Sequence, residues 1–310
     1  MKPFQSTLHF AANNSKWVLL LGLAVGILSP SMATVVRPWI GYCIAVLLFL
    51  AAFRIKPSEA VGTNRDFKTV VAVISVFQVL LPCLLASVFL MTGTTHPMAI
   101  ALLLVASSAP ISASPSLTMI TGNDSKPALR LLTVATAALP FTVLLPFWLM
   151  PTFDDPTTIA WIAFKLFLLI FVSSLLAFSA RKYFVPELSN EEVKSVDGLT
   201  AIMMAVIVIG LMTGFSDAAA NEPGSIILTL VLAFVINIGM QVFTWYSLGL
   251  FDLPTERAAY SIGVGNRNLA IFLAALPAAT TDPILLFIAC YQIPMYLTPT
   301  LLGRLYRRYQ

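Results

Sequence analysis

Ten stretches of about twenty apolar residues follow one another along this chain, and they constrain its fold more than any other feature. They lie near 17–36, 38–55, 69–91, 97–121, 126–151, 157–180, 197–216, 224–249, 256–280 and 283–303. A helix rises ~1.5 Å per residue, so about twenty such residues cross a ~30 Å hydrocarbon layer. Ten crossings with short spacers use up 310 residues and leave no length for a soluble domain. Composition agrees, with 58% hydrophobic residues, 10% charged and a mean hydropathy of +0.89. Soluble globular chains carry about 25% charged residues. The expectation is an all-α polytopic membrane protein with ten transmembrane helices, a single domain over 1–310. A soluble enzyme, a nucleic-acid binder and a disulfide-stapled secreted domain are excluded. The first stretch is too long, and too promptly followed by a second, for a cleaved signal peptide.

Cys43, Cys83 and Cys290 sit in apolar stretches without C-x-x-C spacing, as small core residues do. His9 and His96 are far apart, so no metal site is expected. Of the eighteen basic residues, Lys165 and Arg267 fall inside spans. Among the other sixteen, Arg37 alone lies in an odd-to-even loop, and fifteen, Lys2, Lys56 and Arg308 included, lie at the termini or on the opposite side. The positive-inside rule then places both termini in the cytoplasm, and the expected location is the cell's inner (plasma) membrane.

Ten spans divide into five and five, a first repeat of about 17–151 and a second of about 157–303. Five is odd, so halves of one fold are inverted relative to each other, the usual plan of a secondary transporter. Spans four and nine hold matching places, and both carry helix-breaking chemistry in their middles. Span four has Pro110 and Pro115 with Ser107, Ser108, Ser112, Ser114 and Ser116 around them. Span nine reads Gly263-Val264-Gly265-Asn266-Arg267-Asn268. Prolines remove backbone donors and glycines ease unwinding, and backbone groups freed in lipid must meet protein, water or ligand. Paired interruptions of this kind point to a substrate and ion site.

The run Glu256–Pro277, ERAAYSIGVGNRNLAIFLAALP, resembles the ninth span of the bile acid:sodium symporter family. Residues 109–124, APISASPSLTMITGND, resemble its fourth. The resemblance implies a core domain of spans 3–5 and 8–10, with broken spans four and nine crossing, and a panel of spans 1, 2, 6 and 7. A small organic anion would bind between the two bodies, whose relative movement alternates access. Family members use two sodium ions behind the crossover. Here the family's sodium-ligating glutamate falls on Gly263 and its glutamine on Arg267, while Gly265 and Asn268 match. Its Ser-Asn pair falls on Ala113 and Ser114, and its span-three glutamine is represented by Gln78, one residue out of register. Thr133 and Thr136 offer span-five hydroxyls. An arginine stays protonated and repels Na⁺ in a low-dielectric interior, so these changes argue against sodium coupling, and no cofactor is expected. Arg267 then reads as a built-in cation at the vacated site, or as an anion clamp.

Lys165, about eight residues into span six, is placed near the bilayer middle, as counter-charge to an anion or as a titrating group. No carboxylate lies deep in any span. An arsenite permease would share this architecture, but Ala109-Pro110 is followed by Ile111 where its thiol should stand. A ligand-sensing membrane module without transport is the reading from another class. The chain has no H-E-x-x-H, no G-x-S-x-G and no pair of in-span aspartates, so it is not read as an enzyme.

Overall fold

The computed structural model describes residues 3–55, 62–153, 155–250 and 256–307; Lys2, Lys56 and Arg308 lie outside the described residues. The described chain is helical and has no strand. Its helices are α1 Pro3–Asn13, α2 Ser15–Leu28, α3 Pro30–Arg54, α4 Asn64–Thr92, α5 Pro97–Ser107 and α6 Ser114–Ile120. After them come α7 Lys126–Trp148, α8 Pro156–Phe184, α9 Asn190–Asn221, α10 Pro223–Gly249, α11 Arg257–Gly265 and α12 Ala278–Arg307. A 3-10 turn, Leu269–Ala274, follows α11.

Seven of these (α3, α4, α7, α8, α9, α10 and α12) are long and apolar enough to cross a membrane. The pair α1 and α2, bent by 91° at Asn14, makes an eighth if taken as one. Side chains that face outward are apolar: on α8 Trp161, Phe164, Leu168, Phe171, Leu175 and Leu176 are all 48% exposed or more. Large apolar surface on a long helix is stable against lipid and not against water. The chain is a multi-pass membrane protein.

The first boundary lies elsewhere than hydropathy suggests. The turn between the first two spans falls at Ser29-Pro30, and Arg37-Pro38-Trp39 are absorbed into α3 as a single tight turn. Both prolines are preceded by a residue able to end a helix, but Pro30 sits at the first helical position, where its missing N–H costs nothing. Arg37, expected in a loop, is inside α3 and pairs with Asp282 at 2.6 Å.

Helices α1 and α2 both pack closely on α9 through glycines: a Cβ on Gly22 of α2 would lie 2.8 Å from the Ala205 carbonyl oxygen, and one on Gly198 of α9 2.0 Å from that of Leu8 in α1. Helix α3 fills the side between α9 and α8, where Arg54 pairs with Asp197 at 2.8 Å and Arg181 donates to the Phe53 and Ile55 carbonyls. On the other side α4, α7, α10 and α12 surround α5, α6 and α11, the short helices of the two broken stretches. Side chains cap several of the N-termini. Thr63 with Asp66, and Ser189 with Glu192, form capping boxes, and Asp155 accepts from Thr157 and Thr158.

Candidate functional site

Two apolar stretches are not continuous helices, and they are the two whose composition argues for breaks. Helix α5 ends at Ser107 and α6 begins at Ser114; α11 ends at Gly265 and gives way to the 3-10 turn at Leu269. The two gaps meet. Ile111 N–H donates to the Asn266 carbonyl at 2.8 Å, and Asn268 N–H donates to the Ala109 carbonyl at 2.9 Å, an antiparallel bridge centred on Pro110 and Arg267. Each N–H leaves a carbonyl four residues earlier in its own stretch, Ser107 for Ile111 and Val264 for Asn268, without its helical partner.

Arg267, 2% exposed, takes up the Val264 carbonyl of that pair and two further open carbonyls. Its Nε donates to the Val264 carbonyl at 2.6 Å, one terminal nitrogen to Ser108 at 2.6 Å and the other to Phe77 at 3.0 Å. Phe77 lies in a π turn of α4, Ser75–Leu80. In an i→i+5 pattern its carbonyl would look to Pro82, which has no N–H, so it too is an open acceptor. One guanidinium thus closes three backbone ends from three elements, the most distant of them, Phe77, 190 residues away in sequence. The ion pairs among the described residues are Arg37–Asp282, Arg54–Asp197 and Arg130–Asp66, and none includes Arg267.

Behind the bridge is a second buried group that sequence reasoning missed. Asn237 Nδ2 donates to the Gly265 carbonyl at 2.7 Å and to Asn266 Oδ1 at 3.1 Å. Gln241 Nε2 donates to Asn237 Oδ1 at 2.8 Å and Thr298 Oγ1 at 3.1 Å. The Tyr306 hydroxyl closes on Gln241 Oε1, and that of Tyr291 on the Gly265 carbonyl. The available signal was two amides four residues apart on one face of the apolar stretch 224–249.

The remaining predicted residues divide three ways. Ser112 and Asn268, half-buried and without a side-chain hydrogen bond among the described residues, both line a cavity of about 330 Å³ beside the crossover. Its other walls come from α3 (Leu48, Ala51), α7 (Thr133, Thr136) and α8 (Phe167, Phe171). That volume is in the range of small-molecule sites, whose usual makeup is apolar walls with a few polar groups. Gln78 and Ser114 are buried beside it, not in it. Gln78 Nε2 holds the Ala135 carbonyl and Thr142 Oγ1, and its Oε1, like Ser114 Oγ, has no partner. Ser116 turns to a separate small pocket with Lys16, Arg54 and Asp197. Gly263 and Gly265 serve close approach: a Cβ on Gly263 would lie 2.9 Å from Leu131 Cδ2, and one on Gly265 2.1 Å from Gln241 Cγ. Asn266 belongs to the buried amide group. Lys165 is not at the crossover; it lies in an outward groove between α3 and α8, its Nζ 5.6 Å from the Trp161 ring centre.

Among the described residues no three His, Cys, Asp or Glu side chains come together. No model of a known family matches the chain, and no curated protein matches it.

Proposed function

We propose that this protein is a secondary transporter of a small organic anion, of the bile acid:sodium symporter type, with the cargo held in the cavity beside the crossover. Seven long apolar helices, the bent pair α1–α2 counted as one crossing and the two broken stretches are compatible with a ten-span plan in which the breaks take the fourth place of each half. The observation that carries the reading is the meeting of the breaks at Pro110 and Arg267, with one residue of each broken stretch, Ser112 and Asn268, lining the same cavity. Irregular backbone at membrane depth is tolerated where protein buries it or it lines a cavity. Here the bridge, Arg267 and the amide group bury it, and Ser112 and Asn268 supply the polar contacts.

The anion is favoured by Arg267's charge. Carbonyl dipoles solvate it, but among the described residues no acid neutralises it, so its field reaches the cavity beside Asn268. A charge ~8 Å away contributes about 2 kcal/mol at an effective dielectric near 20. Lys165, on the far side of α8, plays no part in this. Arg267 also occupies the carbonyl cluster that a bound cation would need, so transport proceeds without sodium.

Purified protein in liposomes, tested with radiolabelled aromatic and alicyclic monocarboxylates, decides the matter. Saturable uptake of at least one, equal in NaCl and choline chloride and lost in Asn268→Ala, is expected. Absence of saturable uptake across the panel overturns the transport reading, and sodium dependence overturns the role given to Arg267.

A further inference from the structure

Lys165 is a cation facing the membrane with no acid to pair with among the described residues. Its depth can be worked out. Helix α8 has 29 residues, roughly 43 Å, and overshoots a ~30 Å hydrocarbon layer by about 6–7 Å at each end. Lys165 lies nine residues after Pro156, so its Cα is about 13 Å along the helix and roughly 7 Å inside the apolar layer. Helical side chains lean toward the N-terminus, and this one does, since its Nζ lies over Trp161, one turn earlier and 56% exposed. The ammonium therefore reaches the hydrocarbon boundary at the Pro156 end, where headgroups and aromatic side chains meet.

Beneath it runs the groove between α3 and α8, about 580 Å³, walled by Val46, Phe49, Leu168, Val172 and Leu176. From Lys165 to Leu176 it extends eleven residues, roughly 16 Å, which is about the thickness of one leaflet's hydrocarbon. A cation at the headgroup layer, with an apolar channel one leaflet deep below it, is complementary to a molecule with an acidic head and an alkyl tail. We infer that this groove is a binding site for an anionic phospholipid, its phosphate on Lys165 and one acyl chain between α3 and α8. A lipid seated there braces the two helices that also wall the cavity.

The test is native mass spectrometry of the purified full chain titrated with phosphatidylglycerol or phosphatidylcholine of the same acyl chains. Wild type is expected to retain phosphatidylglycerol at least fivefold better than phosphatidylcholine. Lys165→Gln should erase that preference, and Lys165→Arg should keep it. Lys182→Gln is the control and should keep the preference: Lys182 also lies on α8 and over a ring, that of Tyr183, but does not line this groove. Val172→Trp, which fills the channel and leaves the charge, should lose the bound lipid even if Lys165→Gln does not fold. An unchanged preference in Lys165→Gln, full retention in Val172→Trp, or displacement of phosphatidylglycerol by equimolar palmitate would each overturn the site as proposed.

Discussion

At Arg267 a charge that ought to be expensive in a membrane interior is held by the backbone itself. Three of its five N–H groups go to carbonyls that the bridge, the break after Ser108 and Pro82 have left open. Removing a partner from a buried charged hydrogen-bond set leaves the rest unsatisfied, at about 3–5 kcal/mol. Arg267→Met should therefore lower the melting temperature by roughly 10 °C, read by thermal denaturation in detergent. If Arg267 stands in for a bound cation, wild type melts at the same temperature in NaCl and choline chloride. The double change Gly263→Glu with Arg267→Gln then becomes sodium-sensitive, provided Leu131 moves aside for the new side chain. Gly265→Ala should destabilise by at least about 1–3 kcal/mol, because its methyl would meet Gln241 and the Asn237 carbonyl. Gly239→Ala, with open space around it, is the neutral comparison. Arg267, Ser112 and Asn268 stand out in the sequence because polar residues cluster with prolines or glycines inside otherwise apolar runs. Asn237 and Gln241 signal a site less strongly, because an amide without a charge or a helix break beside it is also an ordinary packing residue in a membrane helix.

Single elements show why the spans were readable and their ends were not. Hydropathy locates an apolar run well, but Pro30 and Pro38 compete for the first turn, and local φ/ψ at Ser29 decides between them. The π turn in α4 has no hydropathy signature either; it becomes meaningful only through the carbonyl that Arg267 takes. Helix starts were easier, being written in side chains. At α8, Asp155 accepts from the hydroxyl and amide of Thr157 and from Thr158, which holds its carboxyl at about 2, below the ordinary 3.8. A depressed pKa means that the cap's contribution is in place above about pH 4 and disappears as pH falls toward 2. In thermal melts between pH 5 and 2, Asp155→Asn should show a shallower loss of stability than wild type.

For the whole molecule, the sequence made two breaks at matching places visible, but not that they touch. Contact between residues more than 150 positions apart depends on packing of every helix between them, and no local pattern reports it. The cavity has the same origin, since α3, α7, α8 and both breaks each contribute a wall. If cargo passes through it, Thr136→Trp should reduce flux at least tenfold in liposomes while leaving the melting temperature within about 2 °C, because the added ring enters empty space. The crossover bears on how such a chain is made. Arg267 and the Ser108 carbonyl are 159 residues apart, so at ~5–20 residues per second the first break waits roughly 8–30 s for its partners during synthesis. Until then the Ser108 and Ala109 carbonyls and the Ile111 N–H have no partner from the second half. A nascent chain arrested before Asn266 should accordingly hold this segment at the translocon or at an insertase, and release it to lipid only once Asn266–Asn268 have emerged.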